Sequence, residues 1–439
     1  NISETTDGWL ASAALDQPGS KTKIETFELN DSAIKLVRFL TQENETEKVV
    51  PGFCSEYDID TDENKEWIVH FLQGILHYGI AELTEEPRPF EVKINTNITQ
   101  QTPSNVTIEI TNTCNENCAH CYLCAGPGQK DSLPFERFIS LCDELADAGV
   151  LMVEITGGEV FMHPHAYQML EHAFKKFVQV ALLTNGTILT DNVLDLLKEH
   201  KDNVVVSISI DSVRAETHNL FRRHRRAFEK TTANVRKLTA AGVPVRISSA
   251  IWEGNKWELE DLCHLARDLG AFAFSFSFIE GFGRGEDFKA NHGHAETDEF
   301  NKLVQKVLTE NEDLIPTLTN NDVATPLNCG ATKGSITISP NGTLRPCNLF
   351  PQDFNLGSVL TEGSWVQQFR NDEIQKMQQI PSPSIKHGCD ERCPNRSYCG
   401  GCYLKGLQSN LNVPEHKMCS WVSANELEWA VKKLAACNA

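Results

Sequence analysis

Between residues 105 and 285 the apolar positions fall into short runs separated by longer stretches of helical period. Val106–Ile110, Met152–Ile155, Val178–Leu183, Val204–Ile210, Val245–Ile251 and Phe272–Ile279 are rich in β-branched and aromatic residues and read as strands. The segments between them repeat apolar residues every three or four positions. Phe135–Ala148, entered through Pro134, and Trp257–Leu269 are the clearest helices. Six such strand–helix units predict parallel crossovers and an α/β fold, a partial (β/α)6 barrel of the TIM type spanning residues 101–318. In such barrels the chemistry gathers at the C-terminal ends of the strands.

The flanking stretches have other patterns. In residues 1–100, Ala33, Leu36, Val37 and Leu40 share one helix face behind Asp31 as N-cap, and Ile68, Phe71, Leu72 and Ile75 share another within 62–79. Gly79 ends the second helix, a short apolar segment Ile80–Leu83 follows, and Pro87 and Pro89 break the pattern. Strand, helices and a wing-like strand fit a small winged-helix domain. Residues 319–439 are rich in Cys, Pro and Gly, with one hairpin from Ile336 to Leu344 turning at Asn341-Gly342 and a closing helix over 423–436. So little periodicity over that length calls for internal staples.

Charge narrows the partners. The 439 residues hold 40 Lys plus Arg against 60 Asp plus Glu, a formal net charge of −20. That balance disfavours nucleic acid or an anionic membrane as the main partner, and over residues 1–100 it favours a peptide target instead. No apolar run approaches the ~18 residues of a membrane span. Asn1-Ile-Ser-Glu-Thr-Thr-Asp is not a signal peptide, and the absence of an initiator Met reads as a trimmed start. The expected location is cytoplasmic.

The 15 cysteines carry the chemistry. Cys at short spacing in a cytosolic-looking chain reads first as metal ligands. Cys114-Asn-Glu-Asn-Cys118-Ala-His-Cys121 follows the first barrel strand directly. Three thiolates on one tight loop hold three irons of a four-iron cluster and leave the fourth open. Zinc is the alternative, with Cys124 or His120 as the extra ligand. Gly157-Gly158-Glu159 follows the second strand, where paired glycines let backbone approach a ligand and Glu159 can accept from an ammonium group. Cys142 and Cys263 lie on amphipathic helices and read as core residues.

Together, CxxxCxxC after strand one and GGE after strand two resemble the radical S-adenosylmethionine (SAM) enzymes. The resemblance implies a [4Fe-4S] cluster on Cys114, Cys118 and Cys121 whose open iron binds the methionyl group of SAM. It places Glu159, beside the Gly157–Gly158 backbone, on the methionyl amine. Asn185 and Ser209, at the ends of strands three and four, fall where family members contact ribose and methionine, and Arg222 pairs with the cofactor carboxylate. One-electron cleavage then yields a 5′-deoxyadenosyl radical that abstracts a substrate hydrogen. The electron donor implied is a flavodoxin or ferredoxin.

Cys329, Cys347, Cys389, Cys393, Cys399, Cys402 and Cys419 resemble the SPASM extension, which carries two auxiliary iron–sulfur clusters and so brings the total to three [4Fe-4S] clusters. Two of the spacings depart from that pattern by one residue: Cys389-x3-Cys393 and Cys399-x2-Cys402. The resemblance puts Cys329, Cys347 and Cys402 on the first auxiliary cluster and Cys389, Cys393, Cys399 and Cys419 on the second. Ser335 stands where some relatives have a further Cys, so the resemblance implies either an open iron able to bind a substrate thiolate or a corner filled by another side chain or water, with the cluster relaying electrons only.

A winged helix before such a barrel resembles the leader-reading element of peptide maturases. Glu154-Ile-Thr-Gly-Gly-Glu159, Gly281-Phe-Gly-Arg-Gly285 and Tyr398-Cys-Gly-Gly-Cys-Tyr-Leu-Lys-Gly406 are similar to the sactipeptide synthases of the subtilosin-maturase type. The function implied is Cys sulfur-to-carbon thioether formation in a ribosomally made precursor peptide, at an α carbon (sactipeptide) or a β or γ carbon (ranthipeptide), with the leader bound by residues 1–100. Other members of the fold form C–C or C–O crosslinks or oxidise Cys or Ser side chains. A non-catalytic metal-binding protein is the alternative from another class. Asp211 and Glu280, both at strand ends, are the candidate general bases.

Overall fold

The computed structural model describes residues 2–5, 8–15, 23–77, 81–85, 94–95, 103 and 105–437, apart from 293–296, 316–327 and 362–363. The chain divides into two compact units: residues 1–104 with 147–152, and residues 105–146 with 153–439.

In the first unit three antiparallel strands, β1 (Ile2–Thr5), β2 (Gly8–Leu15) and β3 (Lys23–Leu29), precede the helices α1 (Asp31–Leu40), α2 (Thr46–Glu56) and α3 (Thr61–His77). A two-residue strand β4 (Ile94–Asn95) pairs in parallel with β1, giving the order β3-β2-β1-β4. The helices close on Leu36, Phe39, Val49, Phe53, Cys54 and Ile68. The Phe53 ring stands edge-on to Phe39 and Trp67, with centroids 5.8 and 5.9 Å away. The N-cap of α1 is Asn30, which accepts from the Ala33 N–H at 2.8 Å, one residue ahead of the expected Asp31.

Helix α2 is absent from the periodicity reading because Pro51 and Gly52 sit in its middle. Packing explains the glycine: a Cβ at Gly52 would stand 2.8 Å from Phe39 Cζ. The expected wing at Ile80–Leu83 is corrected as well. Ala81–Glu85 holds no strand, and the late strand is β4 instead; Gly79, Ile80, Pro87 and Pro89 lie outside the described residues.

The second unit contains the predicted alternation of strands and helices. β5 (Asn105–Glu109), α4 (Phe135–Asp147), β6 (Met152–Thr156), α5 (Ala166–Lys176), β7 (Gln179–Thr184) and α6 (Asp191–Glu199) alternate along the chain. β8 (Val204–Ser209), α7 (Ala215–Arg222), α8 (Ala227–Ala240), β9 (Val245–Ile251), α9 (Leu259–Asp268) and β10 (Ala273–Phe278) complete it. The sheet order β10-β9-β8-β7-β6-β5-β11-β12 leaves the barrel open and extends its β5 edge by a hairpin. On one face Val106, Ile108, Val153, Ile155, Val180, Leu182, Val206, Ile208 and Ile247 are buried. The other face is mixed: Ala181, Leu183 and Val205 share it with two polar pairs, Thr107 donating to Glu154 Oε2 at 2.8 Å and Arg246 Nε donating to Ser207 Oγ at 3.2 Å.

The hairpin turns where expected. β11 (Ser335–Ile338) runs parallel to β5, and β12 (Leu344–Arg345) returns antiparallel to it. Gly342 has φ +79°, in the left-handed region that favours glycine. Its N–H donates to Ser339 O at 2.8 Å. The closing helix over 423–436 is corrected to two, Ser420–Ala424 and Glu428–Ala436. The break falls at Asn425, whose amide donates to Trp421 O (2.8 Å) and His387 O (2.9 Å), and at Glu426, with φ +54°. Among the described residues no helix is long and apolar enough to cross a membrane.

One buried ion pair ties the hairpin to the barrel. Arg345 Nη2 lies 2.5 Å from Glu109 Oε2, and both side chains are out of contact with water. Arg345 Nη1 also donates to Phe350 O (2.5 Å) and Asn348 O (3.2 Å), just beyond Cys347. Removing one partner strands the other charge, so R345A is expected to cost about 3–5 kcal/mol, with E109L/R345L recovering most of it. Urea midpoints of the three proteins check this.

Candidate active site

β5 ends in the loop that carries Cys114, Cys118 and Cys121, and that loop is held by its backbone. Gly158 N–H donates to Thr111 O (2.6 Å), Glu159 N–H to Thr113 O (2.9 Å), and Cys114 N–H to Gly126 O (3.2 Å). A Cβ at Gly157 would stand 2.4 Å from Thr111 O, and one at Gly158 would stand 2.5 Å from Thr113 O. The paired glycines therefore admit the backbone of the cysteine loop, a different use from the ligand approach read in the sequence. On the far side Ala119 N–H donates to Phe221 O (3.0 Å) and Asn117 N–H to Arg222 O (3.3 Å).

The Gly281–Gly285 segment closes the loop from a third direction. Gly283 has φ +55°, and a Cβ there would lie 2.3 Å from Tyr122 O. Arg284 donates from Nε to Cys118 O and from Nη2 to Ala125 O, both at 2.8 Å. Sequence reasoning singled out this motif without giving Arg284 a task.

Of the polar residues expected around the cysteines, Glu159 and Asn185 lie together beside Cys114. Glu159 Oε1 accepts from Thr184 Oγ1 (2.8 Å) and Phe161 N–H (3.2 Å), and Oε2 accepts from Asn185 N–H (2.8 Å). Burial pushes its carboxyl up against those three donors. Asn185 Nδ2 lies 2.8 Å from Asn115 Oδ1 and 3.9 Å from Cys114 Sγ. Ser209 closes β8 in register with Ser248.

Arg222 is placed against the chain's own acids. Its Nε donates to Asp211 Oδ2 at 2.6 Å, and Nη1 lies 3.7 Å from Glu116 Oε2 and 3.8 Å from Cys118 Sγ. Glu116 was missed in the sequence, because nothing marks an acid between two ligand cysteines as buried. Its Oε2 accepts from Cys118 Sγ at 3.3 Å, its Oε1 is buried without a partner, and burial, opposed by Arg222, pushes its carboxyl up to about 7.

Both candidate bases have other tasks. Burial alone would raise the Asp211 carboxyl, but Arg222, His218 and His120 override it and bring it down to about 2. Asp211 is thus a fixed anion, with Oδ1 also accepting from Ala250 N–H at 2.9 Å. Glu280 is held by Lys405 Nζ at 2.6 Å and Lys289 Nζ at 3.6 Å. Each of these two strand-end carboxylates is thus engaged by cations of the chain itself.

The donor chemistry of the loop fits an iron–sulfur cluster. Burial pushes the Cys114 thiol up to about 12 and raises Cys118 and Cys121 as well, so thiolates here need a cationic partner. Cys124 is exposed, at φ +52°, and His120 is buried and stacked on Phe221.

The C-terminal cysteines form two sets. Burial, then the charges of Cys402 and Cys329, push Cys347 up to about 12, and Cys402 is raised by burial and by Cys329. Cys389, Cys393, Cys399 and Cys419 line one cavity of about 330 Å³. Asn410 Nδ2 lies 3.2 Å from Cys419 Sγ. Among the described residues no three His, Cys, Asp or Glu side chains are arranged to hold a single metal ion. Cys142 and Cys263 are core residues, as expected, and Cys54 is a third.

Comparison with known proteins agrees with this geometry. Residues 108–269 match the family described as the Radical SAM superfamily. The chain is 36% identical over 415 residues to the antilisterial bacteriocin subtilosin biosynthesis protein AlbA of Bacillus subtilis, covering 94% of this chain and 92% of that one. It is 32% identical over 189 residues to the sporulation killing factor maturation protein SkfB of the same organism, covering 43% of this chain and 46% of the relative. Among solved structures, Streptococcus suis SuiB bound to S-adenosylmethionine shares the fold, with a TM-score of 0.64 over 93% of this chain and 95% of SuiB at 14% identity.

The acid side of the site predicts a pH dependence. His218, whose Nδ1 accepts from Asp211 N–H at 3.1 Å, is lowered to about 4 by burial, which outweighs Asp211. The unfolded imidazole binds its proton near 6.5, so this contribution is complete above that pH and is lost as pH falls from 6.5 through 4. The loss approaches about 3 kcal/mol. H218N, which keeps an acceptor but no titration, is expected to flatten the change in urea midpoint between pH 7 and pH 5.

Proposed function

The chain belongs to the radical SAM superfamily, and from that premise we propose that it forms Cys sulfur-to-carbon thioether links in a ribosomally made precursor peptide. Membership implies SAM and a [4Fe-4S] cluster, for which Cys114, Cys118 and Cys121 are the ligands. Together these supply, when bound, the 5′-deoxyadenosyl radical that removes a hydrogen from the peptide. The 36% identity to a subtilosin biosynthesis protein across nearly the whole chain is what carries the peptide reading. A further support is that SuiB, which shares the fold, has been solved bound to its precursor peptide SuiA.

The chain's own residues divide the work. Glu159, fixed by Thr184 and Asn185, holds the methionyl amine of SAM, and Asn185 and Ser209 line the same strand ends. Arg222, anchored by Asp211, presents its cation to Cys118 and to the cofactor carboxylate. Cys329, Cys347 and Cys402 hold a first auxiliary cluster, and having only three thiols they leave one corner for the thiol of the peptide. Cys389, Cys393, Cys399 and Cys419 hold a second. Residues 1–100 read the leader, residues 101–318 run the radical chemistry, and residues 319–439 carry the auxiliary cysteines. A flavodoxin or ferredoxin supplies electrons, and the reaction takes place in the cytoplasm.

Anaerobic reconstitution tests this. Three four-iron clusters predict about twelve irons per chain, and about eight in C114A/C118A/C121A, with dithionite-driven 5′-deoxyadenosine abolished. Zinc in place of iron, or clusters without SAM cleavage, would leave a binding protein. A Cys-bearing peptide is expected to change the spectrum of the first auxiliary cluster where its Cys→Ala counterpart does not; no difference would favour other crosslinks or side-chain oxidation. G158A, whose new Cβ collides with Thr113 O, is expected to lose the first cluster's iron while keeping about eight irons on the C-terminal cysteines.

A further inference from the structure

The connection from α7 to α8 carries Arg222-Arg223-His224-Arg225-Arg226, a cationic run without a carboxylate in a chain of net charge −20. Arg222 turns inward to Asp211, whereas Arg223, Arg225 and Arg226 are exposed. Among the described residues none of these three makes an ion pair. Glu229, the carboxylate on which Arg226 acts, is exposed and bonded to Asn219 at 3.2 Å.

The run costs local stability. Arg225 and Arg226 precede the first turn of α8, where the helix dipole repels cations. Arg223 sits at φ +52°, a helix-end position that usually takes glycine or asparagine. Arginines kept against two local preferences point to a partner that needs them.

The run also adjoins the cysteine loop. Phe221 and Arg222 accept, through their carbonyls, from Ala119 and Asn117 on either side of Cys118. The Phe221 ring stacks on His120, between Cys118 and Cys121, with centroids 4.1 Å apart and planes 3° from parallel. Covalent, hydrogen-bonded and stacked contacts thus lead from the exposed arginines to the cluster ligands without a gap.

Resting on the reading above, we propose that Arg223, Arg225 and Arg226 form the docking surface for an acidic one-electron carrier of the flavodoxin or ferredoxin class. The reduced carrier gives up one electron, becoming oxidised by one, and the cluster on Cys114, Cys118 and Cys121 accepts it. No proton moves. Opposite charge across a solvated patch steers encounter and sets salt dependence.

The test uses the reconstituted full chain with an acidic bacterial flavodoxin, kept reduced by its reductase, as the probe. R223Q/R225Q/R226Q is expected to raise the flavodoxin concentration for half-maximal 5′-deoxyadenosine formation by about tenfold and to flatten its salt dependence. Direct binding of oxidised flavodoxin should weaken in parallel. Dithionite-driven cleavage should be unchanged, and R223K/R225K/R226K should behave as wild type.

Equal flavodoxin dependence in wild type and the Gln variant would overturn the proposal. So would a dithionite-driven loss, which would mark the run as structural, or an effect confined to precursor-peptide binding, which would assign the patch to the peptide. Wild type that fails to cleave SAM even with dithionite would instead bring down the parent reading.

Discussion

A loop that carries three cysteines within eight residues must be held by its main chain, because thiols offer only weak hydrogen bonds. The structure meets that constraint from three sides. Thr111 and Thr113 lie against Gly157 and Gly158, Phe221 and Arg222 lend carbonyls, and Arg284 reaches two further carbonyls across Gly283. The first and third supports need a missing Cβ or a guanidinium fork, which is why those glycines and Arg284 stand where they do. The barrel strands put all three supports at one end of the sheet.

Buried charge is the second consequence. With the loop closed, Asp211, Arg222 and Glu116 are sealed beside Cys118, and Glu109 with Arg345 beneath the hairpin. Such pairs rarely add net stability over apolar packing, but breaking one is costly, so they fix an arrangement more than they strengthen it. A guanidinium locked onto Asp211 cannot swing away from the cysteines. The same lock holds Asp211 as an anion.

How much was legible follows from what sets each feature. The six barrel strands, buried and short, announce themselves by β-branched runs between helical periods, and their bounds agree with the sequence to within a residue or two. The hairpin shows in Asn341-Gly342 because only the local backbone decides it. α2 does not show, since Phe39 packing overrides Pro51 and Gly52, and the break at Asn425 depends on a partner, His387, 38 residues away. Glu116 and Arg284 are invisible for the same reason. Their roles lie in what folds against them, whereas the cysteines are legible through spacing alone.

Strand geometry then limits how the thiol sets can cooperate. Cys114 follows the C-terminal end of β5. β11 runs parallel to β5 and β12 runs back, so Cys329 and Cys347 leave the same sheet edge at its other end. A five-residue strand at about 3.3 Å per residue keeps the two sets on the order of 17 Å apart. No single side chain spans that length, and the sheet face between the two ends carries Thr107, Glu154, Ser207 and Arg246. These four bond in two pairs across neighbouring strands, with Ala181, Leu183 and Val205 between them, so polar pairs and apolar contacts together hold this face.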